Sequence, residues 1–371
     1  MVKACGSYIG DLLRDSFGSI VERTIVLRMK FPLQSGLQFA SHRPSRRLPI
    51  GIDVGRDRMT FVDAKVEGET VAVQSVRTFT MPSEVEGDLS SPVLAMLLRS
   101  VIKSSGWTGR AAAFHTPSNQ FILRHMSLPK MPQKAMTAAV KMELLNGSML
   151  PFDDPQYDFC VATEDVVTAP MDADMQDVIV VAVPRMDVKP YADLFRKAGL
   201  RPKLCEPVLL SAYRIVAQSN DTSTLFGVIC LMPQGVQFGV FDRDMLIFMR
   251  HIELDTKNYV VEDAPQEPLV LSENAYAADL MYELERSLSF VRYNLLMRDD
   301  TVDVIYMLAD FPYGETLCNR LNDGLDLSFN QILPTFQRGG QHLQAYDETT
   351  NASDAFNVSY ALGCALSGIT S

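Results

Sequence analysis

The stretch on which the fold turns is "IGIDVGRDRMTFVDAKVEGETV", residues 50–71. It reads as strand, tight turn, alternating strand, polar turn, strand, the pattern of a β-meander. Shifted by 177 positions, it lies over "GVICLMPQGVQFGVFDRDMLIF" from Gly227, which reads the same way. Phe61 falls on Phe238, and the polar turns at Glu67-Gly68 and Arg243-Asp244 nearly coincide. A meander repeated at this distance predicts two homologous lobes, each a mixed sheet with helices around it.

The segments downstream of the two meanders support the duplication. "SSPVLAMLLRSVIKSSG" (90–106) reads as a helix ending near Gly106, and "RAAAFHTP" from Arg110 as a buried strand. After the second meander, "NAYAADLMYELERSLSFVRYNLL" (274–296) carries Leu280, Leu284, Leu288, Val291 and Leu295 as one apolar stripe, before the short buried strand "VDVIYMLAD". Residues 121–166 look like strand, helix, turn and strand inserted into the first lobe. A strand, helix, strand and helix run on from Met175. The expected division is therefore an extension at 1–47, a first lobe at 48–210 with the insertion at about 121–166, and a second lobe at 211–371. The last helix, "AFNVSYALGCALSG", is expected to take Asp354 as its N-cap and to end at Gly368.

The chain has 371 residues, 47% of them hydrophobic, enough for two domains with sizeable cores. A formal charge of −11 argues against nucleic acid as a partner, because phosphate binding depends on clustered Lys and Arg. Residues 1–47 differ: eight basic and three acidic side chains give +5, leaving −16 for the rest. Within them Ile9, Leu12, Leu13, Phe17, Ile20 and Val21 recur at helical spacing. This amphipathic pattern, at residues 8–22, suits an anionic membrane surface, docking on the protein's own domain or a poorly ordered extension, with "SHRPSRRLP" (41–49) as a linker. No window is long and apolar enough to span a membrane, and a signal peptide is not expected, so a cytoplasmic location is. The six cysteines include no CxxC pair, and the five histidines lack a metal spacing. No metal site is expected, the cysteines read as free thiols, and His115 reads as a core residue.

Four stretches in this order resemble the type IV pilus assembly protein PilM family of the actin-like ATPase superfamily, to which FtsA is related. They are "IGIDVG" (50–55); the insertion with "LP" (128–129), Glu143, "LPFDD" (150–154) and "DF" (158–159); "VIVVAVPRMDVKPYADLFRKAGLRP" (178–202); and "ALGCALSG" near the end. The resemblance begins near Pro49. It implies an α/β, two-lobed actin-like fold, a duplicated ribonuclease H-like unit carrying a PilM/FtsA-type inserted subdomain, with nucleotide in the cleft. It further implies a place at the cytoplasmic face of the inner membrane and a grip on the cytoplasmic tail of a PilN-like membrane protein beside the insertion.

Such a cleft grips phosphate between two glycine-bearing hairpins, since bare backbone lets N–H groups approach oxygen closely. In the first, Gly51 and Gly55 would give that approach and Asp53 could orient a hydrated Mg²⁺, or the glycines could merely shape a turn that Asp53 caps. In the second, the internal shift puts Cys230 at the place of Asp53 and Met232 at that of Gly55, followed by Pro233, which has no N–H. The family's paired acids at the lobe connection match Glu206 and Val208, and a valine cannot act as a general base. Ala309, Asp310 and Phe311 stand where glycines would face an adenine ring, Thr60 where the family has lysine, and 252–274 is short for a lid over the cleft. ATP with Mg is thus a doubted cofactor, Gly51, Asp53 and Gly55 form a remnant site, and no catalytic residue is expected.

The leading expectation is a scaffold of a pilus or related secretion platform that binds a PilN-like tail without ATP hydrolysis. Lys134, Lys141, Pro151 and Phe152 are the candidate partner-binding residues, although Phe152 reads first as a core aromatic and the lysines as a solvated face. The alternatives are a functional actin-like ATPase, and an FtsA-like polymer that self-associates and is tethered to a membrane surface by residues 8–22.

Overall fold

The computed structural model describes residues 46–67, 70–117, 119–146, 149–162, 174–219, 224–232, 234–259, 273–296, 300–309, 314–332, 335–338, 341–344 and 352–369. The expected helix at 8–22, most of the 41–49 linker, Pro233, Asp310, Phe311 and residues 260–272 lie outside them.

The first lobe starts with β1 (Arg46–Arg47), β2 (Ile50–Val54), β3 (Arg58–Glu67) and β4 (Thr70–Thr80), followed by α1 (Pro92–Ser104) and β5 (Ala111–Phe114). Ser91 caps α1 by accepting from the Leu94 N–H at 3.4 Å, with Pro92 at the first turn, and Leu94, Leu98 and Ile102 face inward. Next come β6 (Ile122–Pro129), α2 (Gln133–Asn146), β7 (Pro155–Val161), β8 (Met175–Pro184), α3 (Arg185–Ala198), β9 (Arg201–Cys205) and α4 (Val208–Ser219). The second lobe contributes β10 (Leu225–Met232), β11 (Gly235–Asp242), β12 (Met245–Ile252), α5 (Glu273–Asn294), β13 (Val304–Ala309), α6 (Gly314–Gly324) and β14 (Ser328–Gln331). The chain closes with β15 (Thr335–Arg338), β16 (Gln341–Gln344) and α7 (Ala352–Leu366).

The duplication is visible in the sheets. The first-lobe path runs β4-β3-β2-β5-β9 and the second β12-β11-β10-β13-β14, the same order of a meander followed by two parallel strands. Register agrees residue by residue: Asp53 pairs with Thr60 as Cys230 pairs with Gln237, and Ile52 with Phe61 as Ile229 with Phe238.

Three expectations about boundaries change. The insertion is a three-stranded sheet of order β6-β8-β7, so it extends through β8 to Pro184 rather than stopping near 166. The reason lies in "VIVVAV": Val178 and Val180 pack with Met136, Val140 and Leu144 of α2, while Ile179, Val181 and Val183 belong to the main core. A strand covered on both faces has no polar alternation to mark its side. The second change is that α4 follows the first lobe but packs on β10 and β11, whereas α7 follows the second and packs on β2 and β3, so the closing helices are exchanged. The β15–β16 hairpin likewise returns to the edge of β4. Residues 211–371 are therefore not one lobe. Finally, α7 begins at Ala352, which places Asp354 inside its first turn and not at its cap.

Candidate functional site

A cleft of 230 Å³ opens between the lobes, where the turn after β2, the residues after β5 and the β10–β11 turn converge. This is the position at which the carboxyl ends of central strands leave a crevice. Asp53 sits on its first wall, 5% exposed, with His115 beside it at 3%. Nε2 of His115 lies 2.8 Å from Oδ1 of Asp53, a close contact that falls off the line of a hydrogen bond. Thr116 Oγ1, on the same wall, is buried without a hydrogen-bond partner. Arg56 and Arg58 stand at the mouth with Asp57.

Of the three residues expected to approach phosphate, Asp53 and Gly55 line the cleft and Gly51 does not. A Cβ on Gly51 would stand 1.8 Å from the Ala361 carbonyl oxygen and 2.7 Å from the Ala365 nitrogen, both in the backbone of α7. Gly51 is there so that α7 can press against β2. The glycine freedom read as room for a ligand is room for a helix. A Cβ on Gly55 would meet only Arg58, its O at 3.2 Å and its Cγ at 3.6 Å.

The facing wall has different chemistry. Met232, Gln234, Gly235 and Gln237 line it. Cys230 is wholly buried behind it, hydrogen-bonded to Tyr360, and burial pushes its thiol well above the usual range. Gly235, at φ 148°, takes a backbone conformation that favours glycine, yet its Cβ position is filled by the His251 ring, 2.7 Å away at Cε1. His251 is held there by Gln237, whose Nε2 lies 3.1 Å from Nδ1, and burial lowers the ring's pKa. The first wall thus offers a carboxylate and a hydroxyl without a hydrogen-bond partner, and the second a thioether, the carboxamides of Gln234 and Gln237, and an imidazole lying on its glycine.

Glu206 and Val208 are also placed. Val208 lines the cleft, while Glu206 is fully buried and turned into the α4–α7 crossing. Both terminal guanidinium nitrogens of Arg214, Nη1 and Nη2, donate to its carboxylate, Nη2 to Oε2 at 2.8 Å, and Ser211 donates to Oε1 at 2.9 Å. Arg214 also reaches the Gly363 carbonyl at 3.0 Å. A carboxylate so occupied clamps helices. Thr60 is buried opposite Asp53.

A second concavity, of 550 Å³, lies where α3 meets the insertion, lined by Leu89, Ser90, Asp154, Arg185, Met186, Lys189, Pro190, Asp193 and Lys197. Asp154 adopts a left-handed φ of 49°. Its Oδ1 takes a hydrogen bond from Arg185 Nε at 3.0 Å, and its carbonyl takes one from the Arg185 N–H at 3.1 Å. Lys189 is likewise paired to Asp193, at 2.6 Å. Met186 is left 78% exposed on the groove. Pro151 and Phe152 are in the turn leading to Asp154, exposed and half-buried respectively, and Lys134 and Lys141 are exposed on α2. None of these four lines the groove.

Sequence reading passed over His251, Gln237, Thr116 and the groove residues of α3. Thr116 and His115 had a usable signal, since they directly follow the central parallel strand β5. His251 had none, because its contact with Gly235 forms only when β12 pairs beside β11.

Two lobes of one strand order around an interlobe cleft define a protein of the actin-like ATPase fold. The chain belongs to the family described as type IV pilus assembly protein PilM, which it matches over residues 51–258. Among solved structures it is similar to a PilM–PilN type IV pilus biogenesis complex, with 19% identity, coverage of 86% of this chain and 98% of that one, and a TM-score of 0.64. Weaker similarity extends to a Bacteroides thetaiotaomicron VPI-5482 protein of actin-like ATPase fold and unknown function, at 13% identity over 78% and 91% of the chains with a TM-score of 0.41. It also extends to the cytoplasmic domain of EpsL, an inner-membrane component of the Vibrio cholerae type II secretion system, at 10% identity over 88% and 100% with a TM-score of 0.41. No curated protein matches the chain. Among the described residues no helix is long and apolar enough to cross a membrane, and no three His, Cys, Asp or Glu side chains converge to hold a metal ion.

Proposed function

We propose that this member of the PilM family is a scaffold at the cytoplasmic face of the inner membrane that holds the cytoplasmic tail of a PilN-like protein and does not turn over ATP. The observation that carries the reading is the groove along α3, bounded by Asp154 of the insertion and by Leu89 and Ser90 of the first lobe. Its Arg185 and Lys189 are already matched by Asp154 and Asp193, while Leu89, Met186 and Pro190 offer apolar surface. A groove of this kind rewards an extended segment with apolar anchors, the rim charges serving orientation more than affinity. The reading places the apolar anchor at Met186 and its neighbours, beside the expected partner residues Pro151 and Phe152 in the turn that leads to Asp154.

Support for the absence of turnover is the second wall of the cleft. The His251 ring lies 2.7 Å from where a Cβ on Gly235 would stand, and the wholly buried Cys230 thiol does not replace the carboxylate that its counterpart Asp53 carries.

Titration calorimetry with a synthetic peptide of the PilN-like tail tests the first part. Met186→Glu should weaken binding at least tenfold while leaving the melting temperature unchanged. Undiminished binding by that variant removes the groove from the proposal. A thermal-shift titration with MgATP tests the second part, since occupancy at 100 times Kd stabilises by about 2.7 kcal/mol. A saturable shift of that size accompanied by phosphate release would overturn it.

A further inference from the structure

The insertion touches the second lobe where β6 runs past β12, and one side chain bridges them. His125, on β6, has Nδ1 2.9 Å from Oδ2 of Asp177 on β8 and Nε2 2.7 Å from the carbonyl oxygen of Ile247 on β12. Both partners are acceptors. A neutral imidazole has one N–H and one lone pair, so it can satisfy one of these contacts and must turn a lone pair on the other. Only the imidazolium ring donates to both.

A second feature points to the same place. β12 is the edge strand of its sheet, and its register against β11 slips between Val240 and Phe241: Val240 pairs with Phe248, Phe241 with Leu246, and Ile247 is skipped. A bulge frees the extra residue from the ladder and re-aims its backbone. The residue freed is the one whose carbonyl His125 meets.

We propose that His125 is a proton-operated latch that fastens the inserted subdomain to the second lobe through the bulged carbonyl of Ile247, closing when the ring is doubly protonated and loosening when it is neutral.

The surrounding charges leave the ring to these two partners. On β6, Arg124 turns to the Met149 carbonyl at 3.0 Å. On β12, Arg250 is committed to Glu283 at 2.7 Å and Ser287 at 3.0 Å, and His251 to Gln237. Asp177 is the charged residue of β8. Burial by itself would lower the pKa of His125, but the Asp177 carboxylate and the Ile247 carbonyl outweigh it and raise the value above the ordinary 6.5. A raised value in the folded state means that the stabilisation is complete below pH 6.5 and is lost as pH climbs through the folded value. His251 lies four residues beyond Ile247 on the same strand and lines the cleft, so the latch bears on the strand that supplies His251 to the cleft.

The experiment uses the full chain. Imidazole nitrogen NMR should find both ring nitrogens of His125 protonated at pH 6, and a single tautomer at pH 6 would overturn the latch. Hydrogen exchange of peptides covering β6 and β12, corrected for the intrinsic pH effect, should quicken about tenfold between pH 6 and pH 9, the weight of one hydrogen bond to a charged group. His125→Gln, neutral throughout, should abolish that pH dependence. Asp177→Asn should move the transition to lower pH by removing the counter-charge. Retention of the wild-type profile by His125→Gln would refute the proposal, and the NMR reading on the unaltered protein decides it even if both variants fold poorly.

Discussion

Replacing Gly51 by alanine puts a methyl group where the backbone of α7 already is. The new Cβ would lie 1.8 Å from the Ala361 oxygen, and such contacts do not occur below 3.0 Å, so α7 must retreat by about 1.2 Å. Neither side can yield by turning a side chain, because both colliding groups are main chain. The face of α7 that moves carries Tyr360, Ala361, Cys364 and Ala365, all buried. A gap of 0.5–1 Å forfeits roughly a quarter to a half of each dispersion contact across it. Overpacking of a filled core costs about 1–3 kcal/mol and occasionally more. Gly51→Ala should therefore destabilise by about 3 kcal/mol, read as the fall in the urea midpoint at unchanged slope. Gly55→Ala, whose Cβ would meet Arg58 O at 3.2 Å and Arg58 Cγ at 3.6 Å, should lie within about 1 kcal/mol of wild type. If Gly51→Ala melts like wild type, or Gly55→Ala is the more damaging of the two, the assignment of Gly51 to helix packing is wrong.

Arg214→Met strands the buried Glu206 carboxylate and should cost about 3–5 kcal/mol in equilibrium unfolding, of which Glu206→Gln added to it should return part. Cys230→Asp should fail to create an MgATP-dependent thermal shift and should itself lower the melting temperature, since the position lies behind the cleft wall and would bury a carboxylate. Native labelling with a thiol reagent should modify Cys160, the half-buried one among the five described cysteines, well before Cys205, Cys230, Cys318 or Cys364, which react only on unfolding. Comparable rates at Cys160 and Cys230 would show that β10 is not sealed as described.

The repeated meander was legible in the sequence because alternation along a strand and polar turns between strands are local signals. They gave the two lobes and the correspondence of Asp53 with Cys230 before any contact was known. The motif order gave the family in the same way. Glycine is the instructive failure: at Gly51 and Gly55 the residue type says that something comes close, and only the packing of a helix from some 310 residues further on says what. The insertion boundary failed for a related reason, since Val178–Val183 serves two cores at once and carries no polar mark of either. The lobe boundary failed because α4 and α7 exchange partners, crossing closely at Gly363 and Ser211, which neither helix's own periodicity records. The sequence by itself thus determined the repeated units and their order, which rest on neighbours along the chain. Tertiary structure alone decided which wall of the cleft stays open, which carboxylate is spent on a guanidinium and where His125 finds a second acceptor, because each depends on atoms that only folding brings within a few ångströms.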